Sequence, residues 1–298
     1  MSVRHPHSFF GASARERVAR LFDAGSVREF LPPQESASSP HLARLGLPGA
    51  LDDGVMIGGA TLDGHRVLFA AQEGQFMGGA VGELHGAKIV GLLARARRDA
   101  PRAVVFLIDS GGVRLHEANA GLIAISEIMR AVLDARAAGI PVIALIGGIC
   151  GAFGGMGIVA RLCSYIVMSE EGRLALSGPD VIETVAGVEE FDARDRALVW
   201  RVTGGKHRLL TGDCDALVDD DIASFRAAAK DAIERGVAPA PTVASLIARQ
   251  RLLETRTHSL AGLDDGLDVW RALGVKDASG VPMLTAQQTM ALAAELAR

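Results

Sequence analysis

Apolar positions recur along this chain in two different periods, and the switches between them outline the fold. In residues 11–23 (GASARERVARLFD), Val18, Leu21 and Phe22 share one helical face behind Ser13, a capping residue type, which predicts a short amphipathic helix. Residues 32–41 (PPQESASSPH) are rich in turn-formers and read as a loop. VMIGGATL and RVLFAAQ then flank Asp63-Gly64, a strong signal for a two-residue hairpin. From Phe76 to Ala100, glycines at 78, 79, 82 and 86 open a segment that an Ala/Leu/Ile-rich helical pattern closes.

From Ala103 the pattern alternates. AVVFLID (103–109) is a continuous apolar run, as expected of a strand buried on both faces. SGGVRLHE leads into a helix of about twenty residues, and PVIALIG (141–147) is a second buried strand. GICGAFGGMGIVARL is a glycine-rich turn into another helix, and CSYIVMS (163–169) is a third strand. LALSGPDVIETVAG predicts a short strand and then a helix starting at Pro179, the favoured first helical position. Strands alternating with helices imply parallel pairing with right-handed crossovers. After about Arg235 the pattern changes to APAPTVASL and helical segments ending in TAQQTMALAAELAR. The expected division is an N-terminal helical and loop segment (1–48), an α/β domain (49–235) and a C-terminal helical extension (236–298).

Composition narrows the class. The chain has 298 residues, 49% of them hydrophobic and 4% aromatic, with 35 glycines, so its core relies on small aliphatic residues at close backbone approach, as layered α/β architectures do. A net charge of −4 argues against general nucleic-acid binding, although the short basic run at Arg95, Arg97 and Arg98 leaves room for an acidic partner. Cys150, Cys163 and Cys214 are too few and too irregularly spaced for a disulfide framework or a zinc ribbon, and no metal site is expected. No apolar run resembles a signal-peptide core or a membrane span, so the expected location is the cytoplasm.

The chemistry concentrates in two glycine-rich turns, Asp109–Arg114 (DSGGVR) and Gly147–Gly155 (GGICGAFGG), each after a buried strand and before a helix. Such turns aim free backbone N–H groups, helped by the helix dipole, at whatever lies above the strand ends. Two of them on consecutive strands can converge on one oxygen atom and stabilise an enolate or a tetrahedral oxyanion. A single glycine-rich turn is more often structural, because tight turns need glycine. Neither turn spells G-x-G-x-x-G, the second reading G-x-x-G-x-x-G, and no G-K-S/T follows for a phosphate loop. Ser110 lacks the G-x-S-x-G context of a hydrolase nucleophile, and Cys150 in an apolar turn reads as a packing residue.

Three stretches carry a family resemblance over roughly residues 50–190. DGVMIGGATLDGHRVLFAAQEGQFMGGAVGELHGAKI resembles the segment of acyl-CoA carboxylase carboxyltransferase beta subunits that runs through a D-G hairpin into F-M-G-G-x-x-G. IDSGGVRLHEA is similar to their S-G-G-A-R-x-Q-E, and ALSGPDVIETVAG to their A-G-P-x-V-I-E-x-T. Two departures, no cysteine before Cys150 and His116 where Gln is usual, direct the resemblance to the beta subunits of biotin-independent malonate decarboxylases.

The resemblance implies a crotonase/ClpP-like fold of repeated ββα units. It implies a cytoplasmic carboxy-lyase working with a gamma subunit that carries a second crotonase-like domain, an acyl carrier protein subunit and an acyl-transferring alpha subunit. Malonyl-S-acyl carrier protein would become the acetyl thioester. This chain would bind no cofactor, the substrate riding on the phosphopantetheine-type arm of the carrier or on coenzyme A. Gly112 or Val113, with Gly154 or Gly155, would donate to the enolate oxygen while Gly111 and Gly151 shape the turns. Gly78, Gly79 and Gly82 would line the acyl-thioester channel, a helix-contact role being equally compatible. Arg114 would hold a carboxylate or a phosphate, or else pair with Glu117 three residues on; His116 and Glu117 are candidate proton donors. A biotin-dependent carboxyltransferase beta subunit and a non-catalytic, carrier-binding scaffold subunit are the alternatives.

Overall fold

Spatial order equals chain order in the one sheet at the centre of the molecule, which has seven strands among the described residues. The computed structural model describes residues 7–35, 38–237 and 241–296. The parts of the expected N-terminal segment, of the 32–41 loop, of APAPTVASL and of the C-terminal tail that fall elsewhere lie outside the described residues.

Helix α1 (Ala14–Leu21) starts at Ser13, whose hydroxyl accepts from Glu16 N while the Glu16 carboxylate accepts from Ser13 N, a reciprocal capping box. Strand β1 (Arg28–Phe30) is an edge strand too short to show a period, and sequence reading misses it. Where the 32–41 stretch is described it contains helical turns: Pro33–Glu35 form a 3-10 turn, and Ser39 caps α2 (Pro40–Arg44), with proline supplying the first helical φ. Strands β2 (Val55–Leu62) and β3 (His65–Gln72) form the predicted hairpin. Its two loop residues are left-handed (φ 53° at Asp63 and 78° at Gly64), which matches the twist of the flanking strands.

Helix α3 (Glu83–Asp99), β4 (Ala103–Ile108), α4 (Asn119–Ala137), β5 (Val142–Ile146), α5 (Gly154–Leu162) and β6 (Tyr165–Ser169) follow the predicted alternation, and β3 to β6 pair in parallel. The short strand expected before Pro179 is absent. Arg173 and Leu174 make only isolated bridges, to Gly204 and Ala152, and α6 (Pro179–Ala186) starts at the proline as expected. Then come α7 (Arg196–Thr203), α8 (Gly205–Leu210), β7 (Ala216–Val218), which adds in parallel to β6, and α9 (Ile222–Arg235). Helices α10 (Val243–Ser259), α11 (Gly266–Ala272) and α12 (Ala286–Leu296) make up the C-terminal region. None of these helices is long and apolar enough to cross a membrane.

Two apolar layers cover the sheet, which explains the unbroken apolar runs of β4 and β5. Val104, Phe106, Ile108, Val142, Ala144 and Ile146 face α3, α4 and α5. Val105, Leu107, Ile143 and Leu145 face α1 and α9. The N-terminal region is therefore woven into the second layer through Phe9, Val18 and Leu21. It is also tied by charge, since Arg17 Nη1 donates to Asp109 Oδ2 at 2.8 Å with both side chains buried.

Breaking that pair from one side strands a buried carboxylate. Arg17→Met is expected to cost roughly 3–5 kcal/mol, read as a drop in urea-unfolding free energy. Adding Asp109→Asn should return much of the loss, and a loss below about 1 kcal/mol in the single variant would contradict the assignment.

Candidate functional site

Asp109 sits at the C-terminal end of β4 and holds both glycine-rich turns. Besides taking the Arg17 guanidinium, it accepts from Cys150 N in the second turn at 2.6 Å. Beyond it the turns are joined backbone to backbone: Ser110 N donates to Gly151 O at 2.7 Å, and Phe153 N to Ser110 O at 2.9 Å. The short bridges Ser110–Ala152–Leu174 thus extend the parallel ladder past the ends of β4 and β5 as a small second layer. At the crossing point the chains touch. A Cβ on Gly112 would lie 3.3 Å from the Gly154 Cα, one on Gly154 3.2 Å from the Gly112 Cα, and both residues have positive φ (123° and 53°). The two bends are therefore adjacent.

Hydrogen bonding then separates the candidate donors. Gly154 N–H is taken by Leu176 O at 2.8 Å, and Gly112 N–H by the Ser110 hydroxyl at 3.1 Å. Within each expected pair, Gly112 or Val113 and Gly154 or Gly155, these two hydrogens are committed within the fold. Val113 and Gly155 have no acceptor for their N–H groups among the described residues. Val113 is pinned on the strand side, because Val81 N donates to Gly112 O and Arg114 N to Val81 O, so its own N–H points the other way. Gly155 lies in the first turn of α5, where helical N–H groups are unsatisfied and the dipole is positive. The Val113 nitrogen lies 4.0 Å from the Cβ position of Gly154, which puts one open amide beside the residue that precedes the other. Two such donors can hold an oxygen that gathers negative charge.

The other predicted residues divide. Of the two expectations for Arg114, the ion pair with Glu117 is present in the structure. Arg114 is buried, with Nη1 on Asp53 Oδ1 (3.0 Å) and Glu117 Oε1 (2.9 Å), and its guanidinium lies over the Phe76 ring. Glu117 is engaged on both sides. Burial works to raise its pKa, but the Glu83 amide, the Ser39 hydroxyl and Arg114 outweigh it and keep the carboxylate ionised. His116 is exposed, and its side chain has no hydrogen-bond partner among the described residues. Gly79 and Gly82 pack against protein, and Gly151, expected to shape the second turn, has a positive φ of 73°. A Cβ at each would meet, respectively, Asp109 O at 1.8 Å, the Arg114 and Glu117 side chains at 2.5 Å, and Arg173 O at 2.6 Å. Gly78 and Gly111 are exposed beside the turns, joined by the Gly111 N–H to Gly78 O bond of 2.8 Å. Burial raises the Cys150 thiol to about 11, which agrees with a packing role.

Sequence reading missed Asp53 and His85, which complete the buried cluster beneath the first turn. Asp53 accepts from Arg114 and from His85 N, and His85 is fully buried. Its ring Nδ1 lies 3.1 Å from Asp53 O and its Nε2 3.0 Å from the Gln72 amide nitrogen, so a neutral ring donates to the first and accepts from the second. Also unforeseen is an exposed apolar rim: Leu115 (82% exposed) two residues past Val113, Leu122 and Ile123 on α4, Leu176 beside Gly154, and Val185 on α6.

Comparison with known proteins places these features in context. Residues 11–233 match the carboxyl transferase domain. The chain is 38% identical over 97% of its length to "Malonyl-S-ACP:biotin-protein carboxyltransferase MADC" of Malonomonas rubra, covering 96% of that protein. A putative propionyl-CoA carboxylase beta chain of Bacillus subtilis is 39% identical over 61% of this chain but only 34% of its own length. Among solved structures, a chain of a Pseudomonas malonate decarboxylase hetero-tetramer in complex with malonate superposes with a TM-score of 0.81 and 41% identity, covering 89% of this chain and 96% of that one.

The buried histidine beneath the first turn makes stability pH-dependent. Burial, and then the nearby Arg114 charge, depress His85 to about 3 from an ordinary value of about 6.5. Between those values the unfolded chain binds a proton that the folded chain refuses, so stability is full above about pH 6.5 and falls as pH drops toward 3. Urea unfolding at pH 7 and pH 5 should differ by about 2 kcal/mol from this group, and His85→Gln should flatten the slope. An unchanged slope in that variant would assign the dependence to other groups.

Proposed function

The chain belongs to the carboxyl transferase domain family, and from that premise we propose that it is the beta subunit of a malonate decarboxylase with the crotonase-type fold of its relatives. With a gamma subunit it decarboxylates malonyl-S-acyl carrier protein to the acetyl thioester. The observation that carries the reading is the pair of open amides, Val113 and Gly155, where the backbones of Gly112 and Gly154 touch.

Decarboxylation breaks the bond between the malonyl carboxylate carbon and the adjacent carbon, releases CO2, and sends the electron pair to the thioester oxygen as an enolate. Catalysis needs donors that bind this oxygen more strongly as it becomes negative, and preorganised N–H groups at a helix terminus do so without reorganising. Uptake of a proton at carbon completes the reaction. Arg114, Glu117 and Asp53 are locked to one another and do not supply it. His116 is the exposed titratable side chain beside the first turn, and it or a side chain of the gamma subunit fills that role.

The chain spans one third of the Bacillus subtilis carboxylase beta chain, which fits a site completed by a second subunit. The apolar rim around Leu115, Leu122, Ile123 and Leu176 is the surface we assign to the gamma subunit. The carrier protein and an acyl-transferring alpha subunit complete the assembly.

The name of the Malonomonas rubra relative supports a second reading, transfer of the malonyl carboxyl group to a biotin protein. The same enolate hole serves both reactions. Release of 14CO2 from malonyl-carrier protein by the purified complex, undiminished by avidin, is the expected result, and avidin inhibition would favour the transferase. Val113→Pro deletes one donor hydrogen and should lower kcat by roughly 10²–10³-fold with the complex still assembled. Turnover within a few-fold of normal would remove Val113 from the site.

A further inference from the structure

A second concentration of chemistry lies on the far flank of α5 from the core. A cavity of about 470 Å³ opens between α5, residues 174–176, α8 and α10, with Ile158, Leu176 and Leu253 as apolar wall. Its polar wall is cationic. Asp213 is ringed by Arg249 (2.9 Å), Arg161 (3.3 Å), Arg208 (3.6 Å) and Arg256 (3.9 Å). Of these, Arg161, Arg208 and Arg249 line the cavity with Asp213, three guanidiniums against one carboxylate, and Asp213 is the one carboxylate among the described lining residues.

Structural bonding takes some of these donors, Arg161 Nη1 on Asp213 O, Arg208 Nη2 on Val202 O and Arg256 Nη2 on Thr211 O, but not all of them. One carboxylate accepts only a few hydrogens, whereas each guanidinium offers a fork of them. Arg208 Nε is buried with no acceptor among the described residues, and burial lowers the Arg208 pKa, the cost of a charge held where its single carboxylate is shared. Fastening α10 to the body requires Arg249 and Arg256, both on that helix, but it does not require Arg161 from α5 or Arg208 from α8. An apolar trough ending in surplus guanidiniums fits a ligand with an uncharged arm and a phosphate at its end.

The cavity also connects with the oxyanion turns. Leu176 lines it and supplies the carbonyl that accepts from Gly154 N. Along α5, Arg161 lies six residues beyond Gly155, a rise of about 9 Å. We infer that this cavity seats the phosphate of the 4′-phosphopantetheine arm whose thioester end reaches Val113 and Gly155. The identity of the arm rests on the decarboxylase reading; the anion seat rests on the arginines.

The test compares two ligands that differ by one group. Calorimetric titration of the purified complex with 4′-phosphopantetheine and with pantetheine should give at least about tenfold tighter binding of the first. Arg161→Gln and Arg249→Gln should each remove most of that ratio, and Arg161→Lys should keep part of it. The ratio cancels any loosening of α10, because a general loss of structure weakens both ligands alike. Equal affinities in the unmodified complex, or a ratio unchanged in both Gln variants, would overturn the proposal. Holo carrier protein and coenzyme A share the phosphate, and whichever displaces phosphopantetheine at the lower concentration is its source. CO2 release from malonyl-phosphopantetheine and malonyl-pantetheine separates the two readings. Release from both with no dependence on Arg161 sinks the phosphate seat alone, whereas release from neither sinks the decarboxylase while the binding ratio still judges the cavity.

Discussion

Everything at the top of the sheet depends on the Asp109 carboxylate. It is a buried charge on the last turn of a fully apolar strand, an arrangement that is unfavourable unless each oxygen is engaged. One oxygen takes Arg17 from the N-terminal helix and the other takes Cys150 N from the second turn, so a single side chain fixes three distant segments. The packing around it is correspondingly tight: Gly74 and Gly148 lie against the carboxylate, and Gly79 lies against its backbone carbonyl. With Asp109 so constrained, the turn that follows has little freedom. The contact of Gly112 with Gly154 and the outward direction of the Val113 amide result from that frame.

The charged residues nearest the first turn serve the same frame. Arg114, Asp53 and Glu117 satisfy one another away from water, with neutral His85 and Gln72 closing the set. Each is expensive to bury alone and tolerable as a bonded cluster, although Arg114 Nε and Gln72 Oε1 have no partner among the described residues. Their work is to hold the segment from Gly82 to Leu115 in register beneath the open amides. That leaves the face above them with backbone donors, one exposed histidine and apolar side chains.

Much of this architecture was legible in the chain. Continuous apolar runs announced β4 and β5, Asp63-Gly64 announced the hairpin, and Ser13 and Pro179 announced two helix starts, because each signal comes from local backbone physics. The glycines of the two turns were also visible, and so was the idea that they meet. What could not be read is which N–H of each pair is free: for Gly154 that is decided by Leu176, a partner that only the folded chain brings near, and for Gly112 by the rotamer of Ser110 in its own turn. Arg114 and Glu117 misled for a related reason: spacing admits both a salt bridge and a ligand, and the third member, Asp53, lies sixty-one positions away. Strands β1 and β7 have three residues each, too few for any period to register.

The coincidence of spatial and chain order in the sheet also bears on how the molecule is made. Each strand is laid beside the one synthesised just before it, so the sheet can lengthen along one edge as the polypeptide emerges, by a tight turn at the β2–β3 hairpin and by helical crossovers from β3 onward. Two attachments run against that order: α1 must wait for α9, over two hundred residues later, to complete its apolar contact, and Arg17 must wait for Asp109. Until then α1 can cover only the β2–β3 end of its face of the sheet, and the β5–β7 end stays open until α9 emerges.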